Sequence, residues 1–210
     1  MRYLQRLGKP QKLTDNEVKW TNSFIASGKD RPSSAQYGHK EIKEHLANIS
    51  FQKCFYSEVK FAQVTEAQVD HYIEVAEDPS KAFEWDNLYL SCKDSNIGKP
   101  NNINLPNADC LDPFTNNDTE IEQHLDFEDE MIFGLTEKGR NTILKYRLNK
   151  PIYDTLRSRE LRNFNNIVKA AYFSGKTLDD DTKEILKRFA NPDKPFSLMF
   201  KKILIKHNLI

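Results

Sequence analysis

The sequence predicts an α+β fold: a strand–loop–strand–helix core set in a mainly α-helical chain that also carries a β-hairpin. Three observations predict it. Residues 68–73 (QVDHYI) and 88–91 (LYLS) are short runs rich in β-branched and aromatic residues, separated by an irregular loop containing Pro79. Residues 123–127 and 131–135 form a second such pair, turning at Glu128-Asp129. From Glu137 onward the apolar residues recur at helical spacing.

Taken in order, Asp15 is expected to cap a helix over residues 16–26, with Val18, Trp20, Phe24 and Ile25 on its apolar face. SGKDRPSS breaks it. A second helix over residues 37–47 places Ile42 and Leu46 on one side, with Ile49 following, and delivers the chain to Cys54. CFYSEVKF reads as a knuckle followed by extended chain. After the second strand a short helix starts near Lys93 and cannot run normally past Pro100, whose ring blocks helix continuation. Residues 101–118 (NNINLPNADCLDPFTNND) read as a loop. Beyond the hairpin come helices over 137–148, over 151–173 with Pro151 at the start, over 179–190 and over 196–207. Phe196, Met199, Phe200, Ile203 and Leu204 give the last one an apolar stripe suited to a core or a partner, not to a cofactor. The expected organisation is an N-terminal helical segment (1–50), the small core (51–105), and an acidic loop and hairpin followed by helices (106–210). All three form one continuous domain.

Composition narrows the function classes. No apolar run approaches the ~20 residues that span a bilayer, and the opening MRYLQRLGKPQKL lacks the apolar core of a secretory signal. Three cysteines, an odd number, argue against a disulfide framework and for a reducing, cytoplasmic setting. The 31 Lys+Arg balance 31 Asp+Glu, unlike a free-standing nucleic-acid binder. The charges are unevenly spread: residues 109–130 hold nine acids and no Lys or Arg, whereas residues 137–176 hold ten bases and three acids. The acidic run reads as a solvated face, and the basic stretch as either a phosphate-facing surface or a second solvated face.

Three short patterns carry the chemistry: Asp70-His71, Trp85-x-Asn87-Leu88 and Asn96-x-x-Lys99. Phosphodiester hydrolysis needs a deprotonated water, and a neutral histidine suits that task near pH 7. It also needs charge absorbed at the phosphate and leaving oxygen. A divalent cation held by few protein oxygens and its own waters suits that role. Asp70 and His71 are neighbours on a strand, so their side chains point to opposite faces.

In this order and at these spacings, bracketed by Cys54-x-x-Ser57 and Cys92-x-x-Ser95, the patterns resemble an HNH endonuclease core with its ββα-metal arrangement. The resemblance implies Asp70 and Asn96 as ligands of a catalytic Mg²⁺ or Mn²⁺, and His71 as general base. It implies Asn87 as the residue that supports the loop and the base. Lys99, one turn beyond Asn96, becomes a phosphate contact. Further segments are similar to the nuclease subunit of Septu-type and retron-associated antiphage systems (PtuB-like). These are Met-Arg-x-Leu-x-Arg…Pro at the start, Leu111-Asp112-Pro113, and Asn141-Thr142-Ile143…Arg147-Leu148-Asn149. That likeness runs to about Arg159. It implies an effector acting with an ATPase partner on nucleic acid, DNA being expected and RNA the alternative. A catalytically silent subunit that keeps the fold for binding is the competing expectation. The chain departs from such proteins where Ser57 and Ser95 replace the second cysteine of each knuckle. No structural zinc is therefore expected. Packing by Phe51, Phe55, Tyr56 and Trp85, with the Ser hydroxyls bonded to knuckle backbone, is expected instead.

Overall fold

In the computed structural model, which describes residues 1–96, 105–173 and 178–210, helix α1 (Gln11–Ser27) begins at Gln11 rather than after Asp15. The reason is tertiary. Glu41, from the first turn of helix α3 (Lys40–Ile49), accepts the Lys12 amide at 2.9 Å, satisfying one of the orphan donors of a helix that starts a turn before Asp15. Asp15 instead accepts from Gln11 within the helix. Leu13 and Phe24 are the residues α1 buries, while Val18 and Ile25 face solvent. The expected single helix over 37–47 is two pieces, α2 (Ser34–Tyr37) and α3. They part at Gly38, where a Cβ would stand 2.6 Å from the Ser34 carbonyl oxygen. His39 then caps α3, its Nδ1 accepting from Glu41.

After α3 the knuckle turns tightly, with the Cys54 amide on the Val59 carbonyl and Glu58 at φ 59°. Strand β1 (Gln68–His71) pairs antiparallel with β2 (Leu88–Ser91), Asp70 opposite Tyr89 and His71 opposite Leu88. The first strand is two residues shorter than its pattern suggested. Asn87 takes over there, its backbone and side chain receiving the Tyr72 and Ile73 amides. Helix α4 (Lys93–Asn96) follows directly and packs back on β1.

Helix α5 (Asp118–His124) lies between the expected loop and hairpin, taking Asp118 from the loop and Gln123 and His124 from the expected first strand. It is nucleated by a capping box in which Asn117 and Glu120 each satisfy the other's backbone amide. The hairpin is accordingly β3 (Leu125–Glu128) and β4 (Met131–Gly134), turning through Asp129-Glu130 with Asp129 at φ 51°. Gly139 lets helix α6 (Glu137–Tyr146) close on the end of α5 and on β4, because a Cβ there would sit 2.0 Å from the His124 carbonyl oxygen and 3.2 Å from Gly134 Cα. Helix α6 stops two residues early, at Arg147 in the left-handed region. Helix α7 spans Pro151–Phe173, as its pattern predicts, followed by α8 (Asp180–Lys187) and α9 (Ser197–Lys206).

Two apolar clusters result. The larger gathers Leu13, Ile42, Leu46, Phe55, Phe83 and Leu88 with the aromatic residues around β2. The smaller joins α7, α8 and α9 through Leu161, Phe164, Leu186, Met199, Phe200 and Leu204, so the stripe of α9 is core. Each such side chain contributes about 1.5–3 kcal/mol on burial. Val59 and Phe127 pack against both clusters and join them. Among the described residues no helix is long and apolar enough to cross a membrane.

Candidate active site

Strand alternation separates the Asp70 and His71 side chains. Asp70 turns inward, 5% exposed, and accepts the Tyr56 hydroxyl at 3.1 Å. His71 lies on the other face, its ring edge against Tyr37 at a centroid distance of 4.7 Å. Its Nε2 is 2.9 Å from the Ala82 carbonyl oxygen. A carbonyl can only accept, so this contact fixes the proton on Nε2 and makes Nδ1 the basic nitrogen of the neutral ring.

Asn87 explains why Ala82 is held where His71 needs it. Its side chain accepts the Ile73 amide at 2.7 Å and donates to the carbonyls of Ile73 and Lys81, each at 3.0 Å. One buried amide thus clamps both ends of the 73–82 loop, the second end directly beside Ala82. Asn96, at the end of α4, donates its amide to Gln68 Oε1 at 3.0 Å. Gln68 and Asp70 alternate along β1 and share a face, so that bond sets Asn96 on the Asp70 side. Lys99 lies outside the described residues.

Asp70 and Asn96 both offer oxygen, the donor that hard divalent cations take. Among the described residues no group of three or more His, Cys, Asp or Glu is placed to hold a metal. A cation at Asp70 and Asn96 would therefore keep most of its water, as Mg²⁺ commonly does.

The segments that carry the wider likeness meet at β2. Arg6 donates to the carbonyls of Leu88 at 2.8 Å and Asp86 at 2.9 Å, with its guanidinium 3.6 Å from the Phe114 ring centroid. Trp85 Nε1 returns a bond to the Leu7 carbonyl at 2.8 Å. The opening strap thus grips the residues on both sides of Asn87. Leu4 pairs with the Pro113 carbonyl, Asp112 accepts the Tyr89 hydroxyl, and Thr142 accepts the Leu111 amide.

The two half-knuckles converge as well, around a residue that sequence reasoning missed. The Tyr153 hydroxyl, from the first turn of α7, lies 2.9 Å from Cys92 Sγ and 2.7 Å from Ser95 Oγ. Ser57 Oγ lies 3.5 Å from the same sulfur. The Cys54 thiol, then the hydroxyls of Ser95, Tyr153 and Ser57, outweigh desolvation and pull the Cys92 pKa down, while burial pushes Cys54 up. Two thiols and three hydroxyls bonded to one another are not a tetrahedral zinc set. The expected aromatic packing holds for Phe55, Tyr56 and Trp85, but Phe51, at φ 55°, is 48% exposed. The serine hydroxyls serve mostly side chains, with one backbone bond, from Val59 to Ser57. Nothing local marks Tyr153, which stands 58 residues from Ser95. Tyr153→Phe should lower stability by about 1–3 kcal/mol, because Cys92 and Ser95 lose a buried partner. For a chain this long that is roughly 2–4 °C of melting temperature per kcal/mol. An unchanged melting temperature by calorimetry would show that this hub contributes nothing.

The chain is similar to the Septu protein PtuB of Bacillus thuringiensis, 26% identical over 151 residues. The match covers 71% of this chain and 55% of that protein, so the chain spans just over half the length of the curated relative it matches. No protein-family model matches the sequence.

Proposed function

We propose that the chain is an HNH-type endonuclease, the effector subunit of an antiphage defence complex, hydrolysing phosphodiester bonds of nucleic acid with a divalent cation. The observation that carries this reading is the way Asn87 and Ala82 set His71. The ring is held with Nδ1 as its basic nitrogen, one residue from a buried carboxylate and across a β-pair from the clamp. In this reading His71 takes a proton from the attacking water. Asp70, oriented by Tyr56, and Asn96, oriented by Gln68, would hold Mg²⁺ or Mn²⁺. The cation, when bound, would absorb charge at the scissile phosphate. Lys99 is proposed as a phosphate contact.

The likeness to a Septu protein supports the defence role. The earlier resemblance adds an ATPase partner, a cytoplasmic setting, and DNA as substrate in preference to RNA. The balanced charge suits a nuclease whose partner brings the nucleic acid. Structural zinc has no place in this reading, because Tyr153 and two serines occupy the knuckle chemistry.

The test is to purify the chain with and without an ATPase encoded beside it, then incubate with plasmid DNA and total RNA. Cleavage should require Mg²⁺ or Mn²⁺ and stop with EDTA. The melting temperature should not fall on chelation. Cleavage indifferent to EDTA would remove the metal from the mechanism. A stoichiometric zinc by elemental analysis would overturn the account of the knuckle.

A further inference from the structure

Tyr146, the last residue of α6, is 1% exposed and its hydroxyl has no hydrogen-bond partner among the described residues. Buried polar atoms are almost always paired, so an orphan of this kind asks for an occupant. Its surroundings say which. The Tyr146 ring lies flat on Tyr56, centroids 3.9 Å apart and planes within 9°. Tyr56 is the residue that donates to Asp70. Burial first, then the nearby Tyr72, Cys110, Asp70 and Tyr89, push the Tyr146 phenol well above its ordinary range, so it is a neutral donor at any working pH. Of two stacked phenols, one is thus bonded to the carboxylate and the other has no hydrogen-bond partner among the described residues.

We propose that Tyr146 is a positioning residue whose hydroxyl donates to a water of the hydrated divalent cation that Asp70 takes. The inference rests on the reading of Asp70 as a cation ligand. A protein that binds a cation through few ligands must orient the remaining waters, and partners outside the ligand set commonly govern affinity to that extent. An ordinary buried water bridging Tyr146 to Asp70 is the competing occupant, and the two differ in what Tyr146→Phe does.

The experiment titrates the full chain with Mn²⁺, reading free ion by electron paramagnetic resonance, for wild type, Asp70→Asn and Tyr146→Phe. Melting temperatures are recorded without and with Mn²⁺. Wild type should bind Mn²⁺ and Asp70→Asn should not. Tyr146→Phe should weaken Mn²⁺ binding about tenfold. It should also raise the melting temperature of the metal-free protein, since it deletes an unsatisfied buried hydroxyl without opening a cavity. Wild-type Mn²⁺ affinity in Tyr146→Phe, with binding still dependent on Asp70, overturns the inference and leaves the metal reading standing. A lowered metal-free melting temperature also overturns it, because the hydroxyl would then have a partner already. No Asp70-dependent binding in wild type overturns the metal reading and this inference together.

Discussion

His71→Ala should remove cleavage by the proposed nuclease, by at least the 10²–10⁴-fold that a positioned general base contributes, while leaving the fold and any partner complex intact. The expectation comes from where the ring sits: it donates to the Ala82 carbonyl and meets Tyr37 at an edge, outside the clamp that holds the loop. Losing a bond of that kind costs about 1 kcal/mol. The clamp on the loop belongs to Asn87 and survives the change. Single-turnover rates on plasmid DNA, beside melting temperature and co-purification of the partner, separate chemistry from folding. Cleavage at the wild-type rate by a folded variant would take His71 out of the reaction.

The parts of the molecule legible from sequence are those whose cause is local. Strand β2 and helix α7 occupy the residues their patterns predict, because β-forming LYLS is closed by a helix start and Pro151 pre-sets the first turn of α7. The placement of Asp70, His71, Asn87 and Asn96 on one strand–strand–helix unit was legible for the same reason. The start of helix α1 has no local signal, because the Lys12 amide is met by Glu41, in another helix. Helix α5 was missed although Asn117 and Glu120 spell its capping box, since the many Asn and Asp residues before it dominate a turn reading. Tyr153 and Tyr146 had no local signal at all. Each matters only through a partner brought to it by the fold: Cys92 and Ser95 for one, the stacked Tyr56 for the other.

Glu58→Ala should lower stability by about 3–5 kcal/mol, the range for breaking one side of a buried ion pair. Glu58 is 3% exposed and receives Lys53 Nζ at 3.1 Å, Ser197 Oγ at 2.6 Å and the Leu198 amide at 3.2 Å, with the Met1 amino group at 3.3 Å. It therefore ties the knuckle to the first turn of α9, whose N-terminal dipole favours a carboxylate. Among the described residues, truncation leaves Lys53 buried with the Lys194 carbonyl as its remaining hydrogen-bond partner, and α9 loses a polar tie to the knuckle. Desolvation alone would raise the Glu58 pKa, but the Met1 amino group, Lys53, the Ser197 hydroxyl and Arg2 overcome it and hold the carboxyl far below the ordinary range. A depressed folded pKa gives stability that is full above the unfolded value, ~4.3, and is lost as pH falls below it. The deficit of Glu58→Ala should accordingly be largest at neutral pH and shrink with acidification. Urea unfolding of both proteins at pH 7 and at successively lower pH measures it. A neutral-pH deficit below about 1 kcal/mol, no more than an exposed pair gives, would mean that the two clusters are held together without this carboxylate.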